Sequence, residues 1–174
     1  TFSQVTGTLG ALGLSILNAE IFTTVDNKIM DTFIIQDSNG QAVTDAGTIA
    51  QIEKRLLKAL QSDSIYKGQT NTRKPRQLKA FDHPTQVRFE QDYLNGRTVM
   101  EVSAIDMPGL LSVIANVIAE KNIDITHAKI STLGEKIDDI FYLTTPQGAA
   151  ITDQTALDVL ADDLVQALEA KKAA

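Results

Sequence analysis

An internal repeat constrains the fold of this chain more than any other feature. When Leu110 is placed over Thr1, at an offset of 109 positions, the apolar pattern of the second half follows that of the first. Identical residues coincide at Ser3/Ser112, Ile16/Ile125, Ala19/Ala128, Ile21/Ile130 and Thr23/Thr132, and after a slip of one residue Asp31 and Phe33 coincide with Asp139 and Phe141. Self-similarity of this kind indicates a structural unit that is used more than once. We therefore interpret the chain as two copies of one module.

The second copy predicts a complete succession of strands and helices except for a last strand. β-branched residues indicate a strand over 97–105, and apolar residues at helical spacing indicate a helix from 110 to about 121. The next elements are strands at 124–132 and 138–145 around a turn at Gly134, and a helix at 151–170 with its apolar face at Leu157, Leu160, Leu164 and Leu168. Thr152 or Asp153 is predicted to cap that helix.

The first copy has matching elements but begins within its first helix. A turn is predicted at 25–28, followed by a strand over 30–37 and a helix over 44–60. The apolar face of that helix is formed by Ile49, Ile52, Leu56 and Leu60. The polar stretch 61–84 predicts a linker. The alternating residues of 85–92 predict a strand that closes the first module.

This order of elements predicts an α+β fold of two ferredoxin-like βαββαβ modules, each with an antiparallel sheet and helices on one face. We place the first module at residues 1–92 and the second at 97–174. The first module lacks its first strand and the second lacks its last. Because an uncovered strand edge is unfavourable, we expect either a partner chain that fills or covers the gap or a distorted first module, and we expect a homo-oligomer. The chain starts without a Met, so we also expect it to be a piece of a longer protein.

The Asp-Met-Pro-Gly sequence at 106–109 is the main candidate for a binding site. It joins the predicted strand to the helix that begins at Leu110. The first N–H groups of a helix have no partner within it and carry partial positive charge, so a carboxylate is a natural guest. Gly109 lets a ligand approach the backbone, and Pro108 suits a first helical turn. Asp106 could meet an ammonium group, so both charges of an α-amino acid fit this corner.

A structural role is the alternative for the same corner. An Asp before a helix commonly serves as its N-cap, and Pro-Gly commonly forms a tight turn. Caps are commoner than ligand sites, so chemistry alone favours the structural role for Asp106.

The histidines and the paired acids carry weaker signals. His83 and His127 have no metal-ligating partner at a suitable spacing, so neither a metal nor another cofactor is predicted. His127 is expected at the surface of a strand, or in a site beside Asp124. Asp138 and Asp139 are neighbours on a strand, so they point to opposite faces and would not share acid–base work.

Composition excludes several classes of function. The net charge is −6, which repels phosphate backbones, so nucleic acid is not an expected partner. There is no cysteine, which excludes disulfides and thiolate metal sites. No apolar run is long enough to cross a bilayer, so we expect a cytoplasmic chain and no membrane partner. No catalytic motif is present. The basic cluster at 73–79 is interpreted as a solvated linker, with docking onto an acidic surface as the alternative.

The stretch "IDMPGLLSVIANVIAEKNIDITHAKIST" resembles the ACT domain family, whose signature Asp-x-Pro-Gly stands at 106–109. The resemblance extends further. "PRQLKAFDHPTQVRF", "RTVMEVSAIDMPGLL" and "LGEKIDDIFYLTT" together are similar to the tandem ACT region of the bacterial PII-protein uridylyltransferases, and the similarity covers essentially the whole chain.

The resemblance implies a regulatory function in nitrogen metabolism. Members of that family sense glutamine through these domains, and upstream domains, which this chain lacks, attach uridylyl groups to the PII signalling protein or remove them. The implied fragment is a sensor without catalytic residues. The implied ligand-binding residues of the second module are Asp106, Met107, Pro108, Gly109, Leu110 and Leu111, with Ile125 on the neighbouring strand. The alternatives are a ligand-free oligomerisation or interaction module, another ACT-domain regulatory protein, or a free-standing enzyme.

Overall fold

The computed structural model describes residues 2–23, 28–61, 83–107, 109–133 and 136–173. In chain order the elements are α1 (Phe2–Ala11), β1 (Ser15–Thr23), β2 (Ile29–Gln36), α2 (Ala46–Leu60), β3 (Gln86–Asp92), β4 (Arg97–Ile105), α3 (Leu110–Glu120), β5 (Asp124–Lys129), β6 (Thr132–Leu133), β7 (Lys136–Thr144) and α4 (Gln154–Ala173). The predicted turn at 25–28, apart from Lys28, most of the linker and the basic cluster lie outside the described residues.

The strands form one antiparallel sheet in the order β2-β1-β5-β7-β4-β3, with the short β6 paired to β7. The main core combines the inward side chains of the sheet with the apolar faces of the helices. Met100, Phe141 and Leu143 on the strands, and Ile114 on α3, are fully buried. This α+β architecture of ferredoxin-like modules confirms the predicted fold class.

The two modules use the same strand register. Ala19 on β1 faces Phe33 on β2, and at the repeat offset Ala128 on β5 faces Phe141 on β7. Both pairs also contain an irregularity at the equivalent place, between Ile16 and Asn18 on β1 and between Ile125 and His127 on β5. A shared bulge is a designed feature of a strand pair, so the offset that relates the sequences also relates the backbones.

The modules join edge to edge, because β1 pairs antiparallel with β5 through Glu20 and Lys129. On the helical side, Ser3 Oγ on α1 donates a hydrogen bond of 2.6 Å to Asn116 Oδ1 on α3. The Phe2 ring lies 6.3 Å from the Phe141 ring in an edge-on arrangement. The core of the second module therefore includes residues of the first.

The strand β3 corrects one prediction. It was expected to close the first module, but it pairs along its whole length with β4, from Gln86 opposite Ser103 to Asp92 opposite Arg97. A four-residue turn joins β3 to β4, and such a local hairpin forms more readily than a distant pairing. β3 lies beside β4 at the position that the last strand of a ferredoxin-like module would take. By its pairing, therefore, β3 belongs to the second module.

The apolar face of α2 is only partly covered. Ile49 and Leu60 are 40% and 44% exposed, whereas the equivalent Leu157 and Leu168 on α4 are 2% and 0% exposed. In the second module β4 covers the far edge of β7, but among the described residues no strand pairs with the outer edge of β2. The incomplete first sheet explains why the predicted face of α2 remains half open.

None of the helices in the described part of the chain has the length and apolar character needed to span a membrane.

Candidate ligand-binding site

The corner between β4 and α3 has an unusual helix start. Gly109 occupies the N-cap position with φ 76°, in the left-handed region that glycine adopts at little cost, and no side chain caps the helix. By contrast, Asp45 caps α2 through a 2.7 Å hydrogen bond from Thr48 N, and Asp153 accepts one from Thr155 N before α4. The N-cap role considered for Asp106 is thus not what the structure shows. Leu110 N–H donates a 3.0 Å hydrogen bond to the Met107 carbonyl, and among the described residues no side chain accepts from the first turn of α3.

The predicted site residues at this corner differ in how they are buried. Met107, Leu110 and Leu111 are 8%, 2% and 9% exposed and contribute side chains to the main core, so only their backbone could reach a ligand. Asp106 is half-buried, and burial raises the pKa of its carboxyl above the usual value, while a hydrogen bond from the Met107 backbone lowers it. Pro108 lies outside the described residues.

Ile125 is not near the corner, which corrects the set of site residues. Ile125 faces Leu143 on β7, and Leu143 in turn faces Thr98 at the beginning of β4. Asp106 follows Ile105, which lies seven residues further along β4, or about 23 Å at the rise of a strand. The other end of β5, which leads to Ser131, is the end that lies closer to the corner.

Asp139 is the polar residue that the structure adds to this end of the sheet. It lies on β7 and is 1% exposed. Ser131 N–H donates a 3.0 Å hydrogen bond to its Oδ1, while its buried Oδ2 has no hydrogen-bond partner among the described residues. Burial, and then the negative charges of Asp106 and Asp138, raise the pKa of Asp139 to about 7 against the hydrogen bond from Ser131.

A signal for Asp139 exists in the sequence. Ile137, Asp139, Phe141 and Leu143 alternate on β7 and all are buried, so the acid interrupts an apolar stripe. The repeat also places Asp31 at the equivalent position. Asp138 is exposed and lies 3.0 Å from Lys136 Nζ, so the two acids do point to opposite faces as predicted.

The second polar cluster lies at the other end of the sheet. The Arg97 guanidinium is 4.1 Å from the centre of the Tyr142 ring and its Nε is 2.8 Å from Asp92 Oδ2. His127 Nδ1 is 3.5 Å from Arg97 Nη1. Burial and then the charge of Arg97 lower the pKa of His127, which favours its neutral form. These contacts join β3, β4, β5 and β7, and they are remote from the corner.

The corner combines two complementary kinds of group. The start of α3 offers N–H groups and a partial positive charge, which favour an anion. Asp106 and the buried Asp139 favour a cation nearby. A small molecule with a carboxylate next to an ammonium group matches this distribution of charge. Among the described residues no cluster of three or more metal-ligating acids or histidines occurs.

Residues 98–170 match the ACT domain family. The wider resemblance is confirmed as well. The chain is similar to bifunctional uridylyltransferase/uridylyl-removing enzymes. It is 34% identical over 173 residues to the enzyme of Pseudomonas entomophila (99% of this chain, 19% of the relative). It is 34% identical over 168 residues to that of Pseudomonas aeruginosa (96% and 19%), and 34% identical over 153 residues to that of Idiomarina loihiensis (88% and 17%).

The chain therefore spans about a fifth of the length of the curated relatives that it matches. No solved structure matches it.

Proposed function

We propose that this chain is the tandem ACT sensor region of a bacterial uridylyltransferase, that it acts in the cytoplasm, and that it binds a free amino acid, glutamine being the expected one. The observation that carries this proposal is the start of α3 at Gly109, which has no side-chain cap and is preceded by the half-buried acid Asp106, whose charge acts on the buried Asp139. The similarity to uridylyltransferases over 99% of the chain supports the parent enzyme. Its uridylylation of a PII protein and its control of nitrogen metabolism are parts of the same proposal.

Binding would be reported to the catalytic domains by a shift between two arrangements of the modules. The contacts available for this are the β1–β5 pairing and the hydrogen bond between Ser3 and Asn116. A ligand that binds one arrangement more tightly stabilises it, typically by about 1 to 3 kcal/mol of coupling free energy. The fragment then needs no catalytic residue of its own.

A thermal-shift screen with the twenty amino acids tests the proposal. At a concentration of 100 times its dissociation constant, a ligand adds about 2.7 kcal/mol to the free energy of unfolding. For a chain of this size that corresponds to a rise of roughly 5 to 10 °C in Tm. We expect glutamine to produce such a rise, and succinate at equal concentration to serve as a control without one. Twenty unchanged melting temperatures would reject the proposal.

A ligand-free assembly module is the second candidate, because no strand in the described part of the chain pairs with the outer edge of β2. Met30 and Ile34 on this strand are 63% and 54% exposed, and unprotected apolar edges favour pairing with another chain. Light scattering after size exclusion distinguishes the two functions. A dimer that forms with concentration, together with no thermal shift by any amino acid, would support assembly. A thermal shift in a sample of constant mass would support sensing.

A further inference from the structure

We infer that Asp139 is the residue that recognises the ammonium group of the ligand. Asp106, at the beginning of the corner, is the second acid that favours this group. The site then selects α-amino acids over carboxylic acids that have the same side chain but no amino group. This inference rests on the proposed function, since it concerns how the same site chooses its ligand. It goes beyond the corner sequence, because Asp139 stands on another strand, more than thirty residues away along the chain.

The structural role of Asp139, which is to accept a hydrogen bond from Ser131 N–H, uses only one of its two carboxylate oxygens among the described residues. Its neighbours on the inward face of β7, Ile137 and Phe141, are 2% and 0% exposed, and Val102 opposite it on β4 is 1% exposed. An ionised carboxylate in such surroundings is costly unless it is paired. Only Oδ1 is held, by Ser131 N–H. The buried Oδ2 remains without a partner among the described residues, and an arriving N–H donor would satisfy it.

The surrounding charges favour a cation at this place. Asp106 acts on Asp139 from the β4–α3 corner and Asp138 acts from its own strand, while the connection between β5 and β6 contributes the neutral N–H of Ser131. Lys136 lies against Asp138, which is on the opposite face of β7. Without a ligand, the raised pKa of Asp139, about 7, means that a substantial fraction of its carboxyl groups is protonated near pH 7. An ammonium group would replace that proton.

Because the ammonium group would replace the proton of Asp139, the direction in which ligand affinity changes with pH can be predicted. Binding requires the carboxylate, so the proton of Asp139 leaves to the solvent when the ligand binds. Affinity should therefore increase as the pH rises through about 7 and level off above it. The ligand's own amino group remains charged across pH 6 to 8, because α-amino groups of free amino acids lose their proton at higher pH. A proton that is released on binding therefore comes from the protein and not from the amino group of the ligand.

The first experiment uses the whole 174-residue chain without substitution. Isothermal titration at pH 7 compares L-glutamine with 4-carbamoylbutanoate, which has the same carboxylate and amide but no amino group. We expect the analogue to bind on the order of 100-fold more weakly, since it leaves a buried acceptor without its charged donor. Repeating the glutamine titration in two buffers of different ionisation enthalpy should show net release of protons.

The second experiment substitutes Asp139→Asn, with Asp138→Asn as the matched control on the exposed face. Asp139→Asn keeps the shape of the side chain and removes its charge, so glutamine affinity at pH 8 should fall at least 10-fold and proton release should disappear. Asp138→Asn removes only the smallest of the influences that raise the pKa of Asp139, so it should change both quantities far less than Asp139→Asn does. Circular dichroism checks that both variants are folded. If Asp139→Asn did not fold, the comparison of the two ligands on the unsubstituted chain would still decide the matter.

The outcomes separate this inference from the function on which it rests. If glutamine binds and 4-carbamoylbutanoate binds equally well, or if Asp139→Asn binds glutamine as tightly as the control, the inference is wrong and the sensor function stands. If none of the twenty amino acids binds, both are wrong. A large preference for glutamine that is lost in Asp139→Asn alone supports both.

Discussion

Asp139 is the residue at which burial and charge are most strongly opposed. A leucine would suit its position between Ile137 and Phe141, yet the chain places an acid there and holds only one of its oxygens. Sequence reasoning predicted correctly that Asp139 and Asp138 point to opposite faces. It did not predict which of the two would be buried, because that depends on the side of the sheet that the helices cover.

The pH dependence of stability follows from the raised pKa of Asp139. A carboxyl whose pKa rises from 3.8 to about 7 on folding binds its proton more tightly in the folded state. The free energy of unfolding should therefore decrease as the pH rises from about 4 to 7, by roughly 3 to 4 kcal/mol from this group alone. Urea unfolding between pH 5 and 8 measures the slope.

Two variants isolate the contribution of Asp139 to that slope. Asp139→Asn should have a flatter dependence and be more stable than the natural chain at pH 8. Asp138→Asn should run parallel to the natural chain, because hydrogen bonding to Lys136 lowers the pKa of Asp138 and confines its titration to more acidic pH. Equal slopes for Asp139→Asn and the natural chain would show that the carboxyl of Asp139 is not held in the protonated form.

At the scale of elements, strand existence was easier to predict than strand pairing. Periodicity placed β4 and the stripe of buried leucines on α4 correctly. The strand β3 was also predicted, but was assigned to the wrong module. The Asn95-Gly96 dipeptide between β3 and β4 is a strong hairpin signal, and it gives the pairing that the structure has. Alternation of apolar and polar residues indicates a strand. It does not indicate which other strand pairs with it.

The assignment of β3 to the second module can be tested by one truncation. Phe89 is half-buried, packs against the main core and faces Met100 on β4. Phe89→Ala should cost about 2 to 3 kcal/mol and should increase hydrogen exchange in β4 and α4 more than in β2. Glu90→Ala, at the next and exposed position, is the control with little effect. If hydrogen exchange became faster only in β2 and α2, β3 would have to be assigned to the first module.

The whole molecule is organised by the pairing of β1 with β5, which turns two modules into one sheet. The repeat predicted equivalent modules, and their register is equivalent residue by residue. It did not predict that they would meet through the same strand of each, since a repeat describes units and not the contact between them. The shared core connects the α3 corner with residues of both modules.

Backbone amide chemical shifts measured during a titration with L-glutamine test the central claim most directly. If the corner is the receptor, the amide signals of Gly109, Leu110, Leu111 and Ser131 should move together and reach saturation at one dissociation constant. The signals of Arg97 and His127, at the other end of the sheet, should move least. Saturable changes centred on Arg97 and His127, with the corner amides unmoved, would contradict the account.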